Sequence, residues 1–488
     1  MTPSFFWHDY ETFGADPRWD RPVQFAGVRT DLELNVIDKP VELYAKPAPD
    51  YLPHPEACLI TGITPQQAEA QGDCESAFIA GVNEQMSVPG TCSVGYNSLR
   101  FDDAVTRHTL FRNLQDPYAR EYGQGRSRWD LIDAVRTAYA LRPDGIQWPT
   151  REDGHSSFRL EDLASANSLE QESAHDAMSD VRATIALAKL LKQRQPRLFR
   201  WLFDQRGKTA VRPLLGLGSL EPRLHVSGMF GASRANLGMV LPLSVNQSNS
   251  NEVLMIDLSS AVEEWVGLAA DEVRRRQFMR TEDLPRPESR PGIKTLHLNR
   301  CPVVLPVKML TPELAARAGL DLDLCAANLK FLLAYEHKYP GALADLLHAV
   351  LTREDPEVED PDVSLYSGGF LSSNDRTALD ALLRMAPREL ASARPVFEDE
   401  RLDELLFRYR ARNYPTTLTE EEQSRWRSHC ARRLADGEPG LQLAEFRRLI
   451  ASLITPESTP KVRDILQALS EWGDSLEAFV MANAVQPV

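Results

Sequence analysis

Three short stretches rich in apolar, β-branched and aromatic residues open the chain: Ser4 to Tyr10, Val23 to Arg29 and Leu34 to Tyr44, bounded by Pro, Asp and Gly. Such runs read as strands of an antiparallel meander. Helices are expected after them at Ser76 to Met86, Asp102 to about Leu114, Trp129 to Leu141, Leu160 to Asn167 and Asp176 to Arg194, with a strand at Thr91 to Tyr96. Three strands followed by alternating helices and strands constrain this part of the chain to a mixed α/β sheet flanked by helices.

The 488 residues exceed one compact core, and about 150 residues per domain suggests roughly three. Past Arg197 the texture turns to short β-like runs, Glu252 to Leu258 and Thr295 to Leu298, separated by the polar loop Asn246 to Asn251 and the Pro-rich segment Pro285 to Pro291. Beyond the acidic stretch Glu354 to Asp362 the pattern is almost wholly helical; Leu402, Leu405, Leu406 and Tyr409 mark one buried helix face. The expected domains are therefore 1–195, 196–351 (mainly β with helical insertions) and 354–488 (all α). A composition 43% hydrophobic and 26% charged is that of a chain folded throughout. Six scattered cysteines, with no C-x-x-C pair, suit reduced thiols better than zinc or disulfides. The N-terminus lacks the pattern of a secretory signal, and no uncharged apolar run reaches the ~20 residues of a membrane helix. A cytoplasmic monomer with no membrane association is expected.

Chemistry enters with His8-Asp9-Tyr10-Glu11. Side chains alternate across a strand, so Asp9 and Glu11 share a face and Tyr10 points away. Two adjacent carboxylates repel unless a cation lies between them, and hard ions such as Mg²⁺ or Mn²⁺ prefer such oxygens. Alone, D-x-E at a strand end is more often a pair of solvated acids. In Gly95-Tyr96-Asn97-Ser98-Leu99-Arg100-Phe101-Asp102-Asp103, Asp102 opens a helix, where the dipole favours its charge in any case. Asp102 is preferred as the functional acid, and Asp103 is read as capping or solvent-facing. In the third motif, His175-Asp176-Ala177-Met178-Ser179-Asp180, residues five apart on a regular helix diverge by ~140°. His175 can serve one site with Asp180 only from the loop before the helix, whose apolar stripe is Met178, Val181, Ile185 and Ala188.

A formal net charge of -15 sits awkwardly with a polyanionic partner, yet the charge is unevenly distributed. Arg107, Arg112, Arg120, Arg126, Arg128, Arg136 and Arg142 are interleaved with Phe111, Tyr118, Tyr122 and Trp129. Arginines for phosphates and aromatic faces for bases are the means by which single strands are held. A solvated helical face over core aromatics explains the same residues equally well.

Together, in this order, the three motifs resemble the DEDDh exonuclease superfamily, as does Ile60-Thr61-Gly62-Ile63-Thr64, which such enzymes place beside the terminal nucleotide. The resemblance implies a ribonuclease H-like exonuclease domain in which Asp9, Glu11, Asp102 and Asp180 hold two Mg²⁺ ions, with Mn²⁺ able to substitute, and His175 is the base. It narrows to a bacterial branch acting on single-stranded DNA, through HDYETFG, DRPVQFAGVRTD, GYNSLRFDD, SRWDLIDAVR, YALRPDGIQWP, AHDAMSD, HVSGMFGA and LLFRYRARNYP. That branch adds an SH3-like domain and a helical C-terminal domain. It implies processive 3′→5′ digestion to 5′-mononucleotides, with a role in DNA repair and recombination. Glu11 is then also a contact for the 3′-hydroxyl, Arg159 for the scissile end, and Arg107, Tyr118, Tyr122, Arg136, Arg142 and Phe158 line the strand path. A competing reading of Arg159 is a salt bridge to Glu161 or Asp162. The branch further binds the acidic tail of single-stranded-DNA-binding protein; Arg142 and Trp201 keep their part of that pocket, whereas Pro306, Thr311 and Leu333 stand where polar or basic residues belong. Two alternatives stay open, a member of the superfamily acting on RNA or in proofreading, and a nuclease-derived module that binds without cutting.

Overall fold

The computed structural model describes residues 2–169, 176–286, 289–352 and 360–482. The chain divides into two compact units, Met1–Ser127 with Glu172–Arg182 and Asp355–Val488, and Arg128–Gln171 with Ala183–Glu354.

In the first unit β1 (Ser4–Thr12), β2 (Pro22–Thr30), β3 (Val41–Tyr44) and β4 (Thr91–Gly95) lie in the order β3-β2-β1-β4. β1 pairs antiparallel with β2 and parallel with β4, and β2 pairs antiparallel with β3. The meander joined to a parallel strand is the mixed sheet expected. β1 is buried at every position except Asp9, hence its nearly continuous apolar sequence. Phe6 and Tyr10 enter a core with Phe25, Phe78, Ile79, Val82 and Val105, the last four supplied by the helices Glu75–Met86 and Asp102–Arg112. By alternation Asp9 and Glu11 take the other face.

Three local expectations need correction. The expected strand from Leu34 is cut to Val41–Tyr44, because the Asp31 carboxylate accepts from the Asn35 amide at 2.8 Å and Leu34 turns left-handed at φ 69°. Trp129 belongs to β5 (Ser127–Asp130), not to the following helix. That helix starts at Leu131, since Asp130 caps it by accepting from the Ile132 amide at 3.1 Å. Two short helices that the sequence reading did not name, Pro55–Thr61 and Pro65–Gln71, each begin with Pro; Gly62 ends the first at φ 74°, and Thr64 and Gln67 form a capping box on the second.

Residues 360–482 are helical, as expected, with long helices at Arg401–Asn413, Glu420–Asp436, Leu443–Leu453 and Pro460–Met481. They share a core with the N-terminal segment directly. Phe13, Trp19, Val23, Tyr51, Leu52 and Cys58 pack in one cluster with Leu434, Phe446, Ile465, Leu466, Leu469 and Trp472. Leu402, Leu405, Leu406 and Tyr409 are buried on one face together with Phe111 and Leu114.

The second unit carries an antiparallel sheet in the order β10-β6-β7-β8-β9, from β6 (Arg223–Val226), β7 (Leu237–Val245), β8 (Glu252–Asp257), β9 (Ile293–His297) and β10 (Val303–Pro306). Val211, Phe230, Val240, Val253, Met255, Leu296 and Val304 form its core, and helices such as Ala270–Phe278, Leu322–Lys338 and Ala342–Leu351 are inserted around it. This is the SH3-like, mainly β domain with helical insertions. Of the loop Pro285 to Pro291, residues 287 and 288 lie outside the described residues. No helix among the described residues is long and apolar enough to cross a membrane.

Candidate metal centre

Asp9 and Glu11 are delivered by β1 from the face opposite Tyr10. Asp180 arrives on the first turn of the helix Ala177–Arg194. One carboxylate oxygen from each of Asp9, Glu11 and Asp180 can be chosen so that all three lie within 4.8 Å of one another. Residues 9, 11 and 180 meet although the chain between them forms most of a domain.

Among the described residues, the neighbouring charges that act on Asp9 and Glu11 are like charges. Burial, then the charges of Asp102, Glu11, Asp180 and Asp176, raises the Asp9 carboxyl well above its ordinary range. Burial, then Asp180, Asp102 and Asp176, pushes Glu11 up to about 8. Oxygen donors packed against their own repulsion suit a hard divalent cation, which the residues present therefore fit.

Asp102 lies outside the triad but is 5% exposed, and among neighbouring charges its effect on Asp9 is the largest. It is the first residue of its helix, tied to β1 through Thr106, whose hydroxyl donates to the Asp102 carbonyl at 2.8 Å and lies 3.0 Å from the Tyr10 phenol. Asp103 is not solvent-facing, as the sequence reading had it. It is 2% exposed and bonded to the fully buried Arg120 at 2.8 Å, so its charge is committed within the fold. His175 lies outside the described residues. Asp176, to which the sequence reading gave no role, adds negative charge at Asp9 and Glu11; its place in the acidic H-x4-D motif was the available signal.

The Arg and aromatic segment is largely structural. Arg112 is buried in a bidentate pair with Glu75 at 2.7 and 3.2 Å, Arg120 pairs with Asp103, and the buried Arg128 donates to the Asn299 carbonyl at 3.0 Å. Neither a solvated face nor a free cationic surface describes these three. In the first unit Arg107 is bidentate to Glu121 at 2.6 and 2.9 Å, with Tyr118 beneath its guanidinium, while Tyr122 is 60% exposed. In the second unit Arg136 pairs with Asp133 at 2.8 Å and Arg142 is exposed just past its helix. There too, Phe158 packs edge-on against Tyr139 at 5.3 Å, and Arg159 is exposed, with Glu161 at 3.7 Å. Trp201 is half-buried and lines a small cleft with Trp129, Asp133, Gln205 and Val303. Pro306, Thr311 and Leu333 are exposed.

Comparison with known proteins gives three family-model matches: an exonuclease model over residues 6–188, an exonuclease I SH3-like domain over 206–352 and an exonuclease I C-terminal domain over 359–476. Exodeoxyribonuclease I of Escherichia coli K12 is 46% identical over 485 residues, covering 99% of this chain and 96% of that protein. Among solved structures, exonuclease I of Methylocaldum szegediense superposes with a TM-score of 0.91 at 48% identity, covering 97% and 99% of the two chains. E. coli exonuclease I in complex with a dT13 oligonucleotide superposes at 0.90 with 42% identity, covering 98% and 100%. The E. coli enzyme has also been solved with zinc and single-stranded DNA, and an ExoI/SSB-Ct complex is similar too, both at 42% identity.

Proposed function

Because the chain belongs to the exonuclease I family, we propose that it is a Mg²⁺-dependent exodeoxyribonuclease that digests single-stranded DNA from the 3′-end, processively, to 5′-mononucleotides, and so serves DNA repair and recombination in the cytoplasm. The observation that carries the reading is the triad of Asp9, Glu11 and Asp180, with ligand oxygens within 4.8 Å of one another, where the neighbouring charges among the described residues that shift Asp9 and Glu11 are carboxylates.

Asp9, Glu11, Asp180 and Asp102 would hold two Mg²⁺ ions, with Mn²⁺ able to replace them. When bound, the ions supply Lewis acidity that favours deprotonation of water and stabilises the charge on a leaving oxygen. His175, whose imidazole can take up a proton near neutral pH, accepts the proton of the attacking water. Glu11 also receives the terminal 3′-hydroxyl, which gives the reaction its polarity. The exposed Arg159 guanidinium, with only a long 3.7 Å contact to Glu161, suits a phosphate at the scissile end. Arg107, Tyr118, Tyr122, Arg136, Arg142 and Phe158 would guide the strand, Tyr122 by base stacking and the arginines after exchanging an internal partner for phosphate.

We read the functional segments as 1–195, 196–351 and 354–488. The tail of single-stranded-DNA-binding protein is a fitting partner for Arg142 and the cleft at Trp201, with Pro306, Thr311 and Leu333 standing where the resemblance implies polar or basic residues. The test is product analysis on 5′-labelled single-stranded DNA, duplex DNA and RNA of one sequence, with Mg²⁺ and with chelator. A ladder shortening from the 3′-end on single-stranded DNA alone, only with Mg²⁺, is expected. Equal rates on RNA would favour the RNA-directed alternative. Release of nothing would leave a binding module.

A further inference from the structure

Asp180 depends on where its helix begins, and Gln24 fixes that beginning. Gln24 stands on β2 opposite Glu11 and on its other side opposite Tyr44 of β3, so the three side chains occupy neighbouring positions on one face. It is 2% exposed. Its amide nitrogen donates to the Glu42 carboxylate at 2.8 Å and to Asp176 at 3.2 Å, and lies 2.9 Å from the Tyr44 phenol oxygen. Its carbonyl oxygen accepts from the Ala177 amide at 3.4 Å. Asp176 in turn caps the helix: its carboxylate accepts from the Ser179 amide at 3.0 Å, and its carbonyl accepts from the Asp180 amide at 3.0 Å. One buried side-chain amide therefore joins the strand beside Glu11 to the first turn that presents Asp180.

We infer that Gln24 is a positioning residue for the metal centre, holding Asp176 and the start of the Asp180 helix in register with Asp9 and Glu11. A primary amide suits this place because it donates and accepts at once. Its donor face lies between two carboxylates, Glu42 and Asp176, which would otherwise confront each other, and its acceptor face takes a helix-terminal N–H that lacks an intrahelical partner. An apolar residue of equal length would fill the space and provide neither. Partners of this kind, one layer behind metal ligands, typically change metal affinity or activity by about 10- to 100-fold when removed.

The inference rests on the metal-dependent reading of the site, and the experiment separates the two. Mn²⁺ binding to the metal-free full-length protein is measured by calorimetry for wild type, Gln24→Met and Asp176→Ala, alongside thermal melting and steady-state digestion. Expected for Gln24→Met is Mn²⁺ affinity weakened by about 10- to 100-fold, a lowered kcat partly restored at high metal concentration, and a KM for single-stranded DNA within about twofold of wild type. Asp176→Ala, at a half-exposed position, should move in the same direction and carries the test if Gln24→Met does not fold. Wild type that binds no Mn²⁺ overturns the metal reading. Wild type that binds, with Mn²⁺ affinity unchanged in the folded variant, overturns the role of Gln24 whatever its melting temperature.

Discussion

Two groups of carboxylates, one half-buried and one fully buried, lie within the first unit, and they are held in opposite ways. Asp9, Glu11 and Asp180 face one another, and burial together with mutual repulsion raises Asp9 and Glu11. Asp50 and Asp362 are fully buried, and burial alone would raise them as well. Arg412 bonds to both, at 2.6 Å to Asp50 and 2.7 Å to the Asp362 Oδ1, and Arg408 donates to Asp362 at 2.9 Å. These guanidinium groups outweigh desolvation and hold both carboxyls well below the usual range. The fold thus supplies arginine where carboxylates join the nuclease segment to the C-terminal helices. At the candidate metal centre the charges of described residues that act on Asp9 and Glu11 are other carboxylates.

The largest effect that could break this contrast is on turnover. Asp180→Asn should lower kcat on the order of 10³-fold, about 4 kcal/mol of transition-state stabilisation, while the metal-free melting temperature stays level or rises because repulsion is relieved. Single-turnover digestion beside calorimetric melting reads both. A clear fall in metal-free melting would mean that the triad is structural. Asp362→Ala should do the reverse: by taking one carboxylate from Arg412, which keeps Asp50, and from Arg408, which keeps Asp360 and Glu404, it should cost up to about 3–5 kcal/mol of stability, measured by denaturant titration, with kcat per folded molecule close to wild type. Loss of turnover without loss of stability would dissolve the distinction.

Titration sharpens the contrast, because the two groups respond to pH with opposite sign. Asp50 and Asp362 have folded values below the unfolded ~3.9, so their contribution is present above that value and is lost as pH falls through the folded values. Glu11, raised from 4.5 to about 8, contributes stability that is fully present below 4.5 and is lost as pH rises through about 8. Metal-free protein should therefore lose melting temperature from pH 5 to 8.5, and added Mg²⁺ should abolish most of that slope by binding the ionised form. A slope unchanged by Mg²⁺ in differential scanning calorimetry would count against the site.

How much of this the sequence carried depends on how local each cause is. Asp9 and Glu11 were legible because strand alternation alone sets their face, and Asp180 because its motif sits at a helix start. The preference for Asp102 over Asp103 came from the motif, whereas the fate of Asp103 was not legible, since its partner Arg120 lies 17 residues on. The arginine segment misled for the same reason: Arg112 is claimed by Glu75, 37 residues earlier. Leu34 was misplaced because its left-handed turn overrides an apolar, strand-like composition. The Arg412–Asp50 pair spans 362 residues and joins segments that composition had divided into separate domains. Gln24 escaped notice because an amide in a strand carries no signature until its four partners are in place.

Arg159 tests the boundary of the comparison with the smallest effect. It is a charged residue neither committed to the fold nor part of the triad: its side chain is 69% exposed and its contact to Glu161 is 3.7 Å. Exposed pairs of this kind contribute about 0–1 kcal/mol, so Arg159→Ala should shift stability by less than about 0.5 kcal/mol. Its charge is then available to substrate, and losing one exposed phosphate contact should raise KM several-fold and flatten the salt dependence of log KM by roughly 0.7. Arg159→Lys should restore much of the salt slope, because the term is charge, and less of the affinity, because the planar fork is lost. Measuring KM between 50 and 200 mM salt for the three proteins decides it. If Arg159→Ala leaves KM and its salt slope at wild-type values, the exposed guanidinium is an ordinary surface charge.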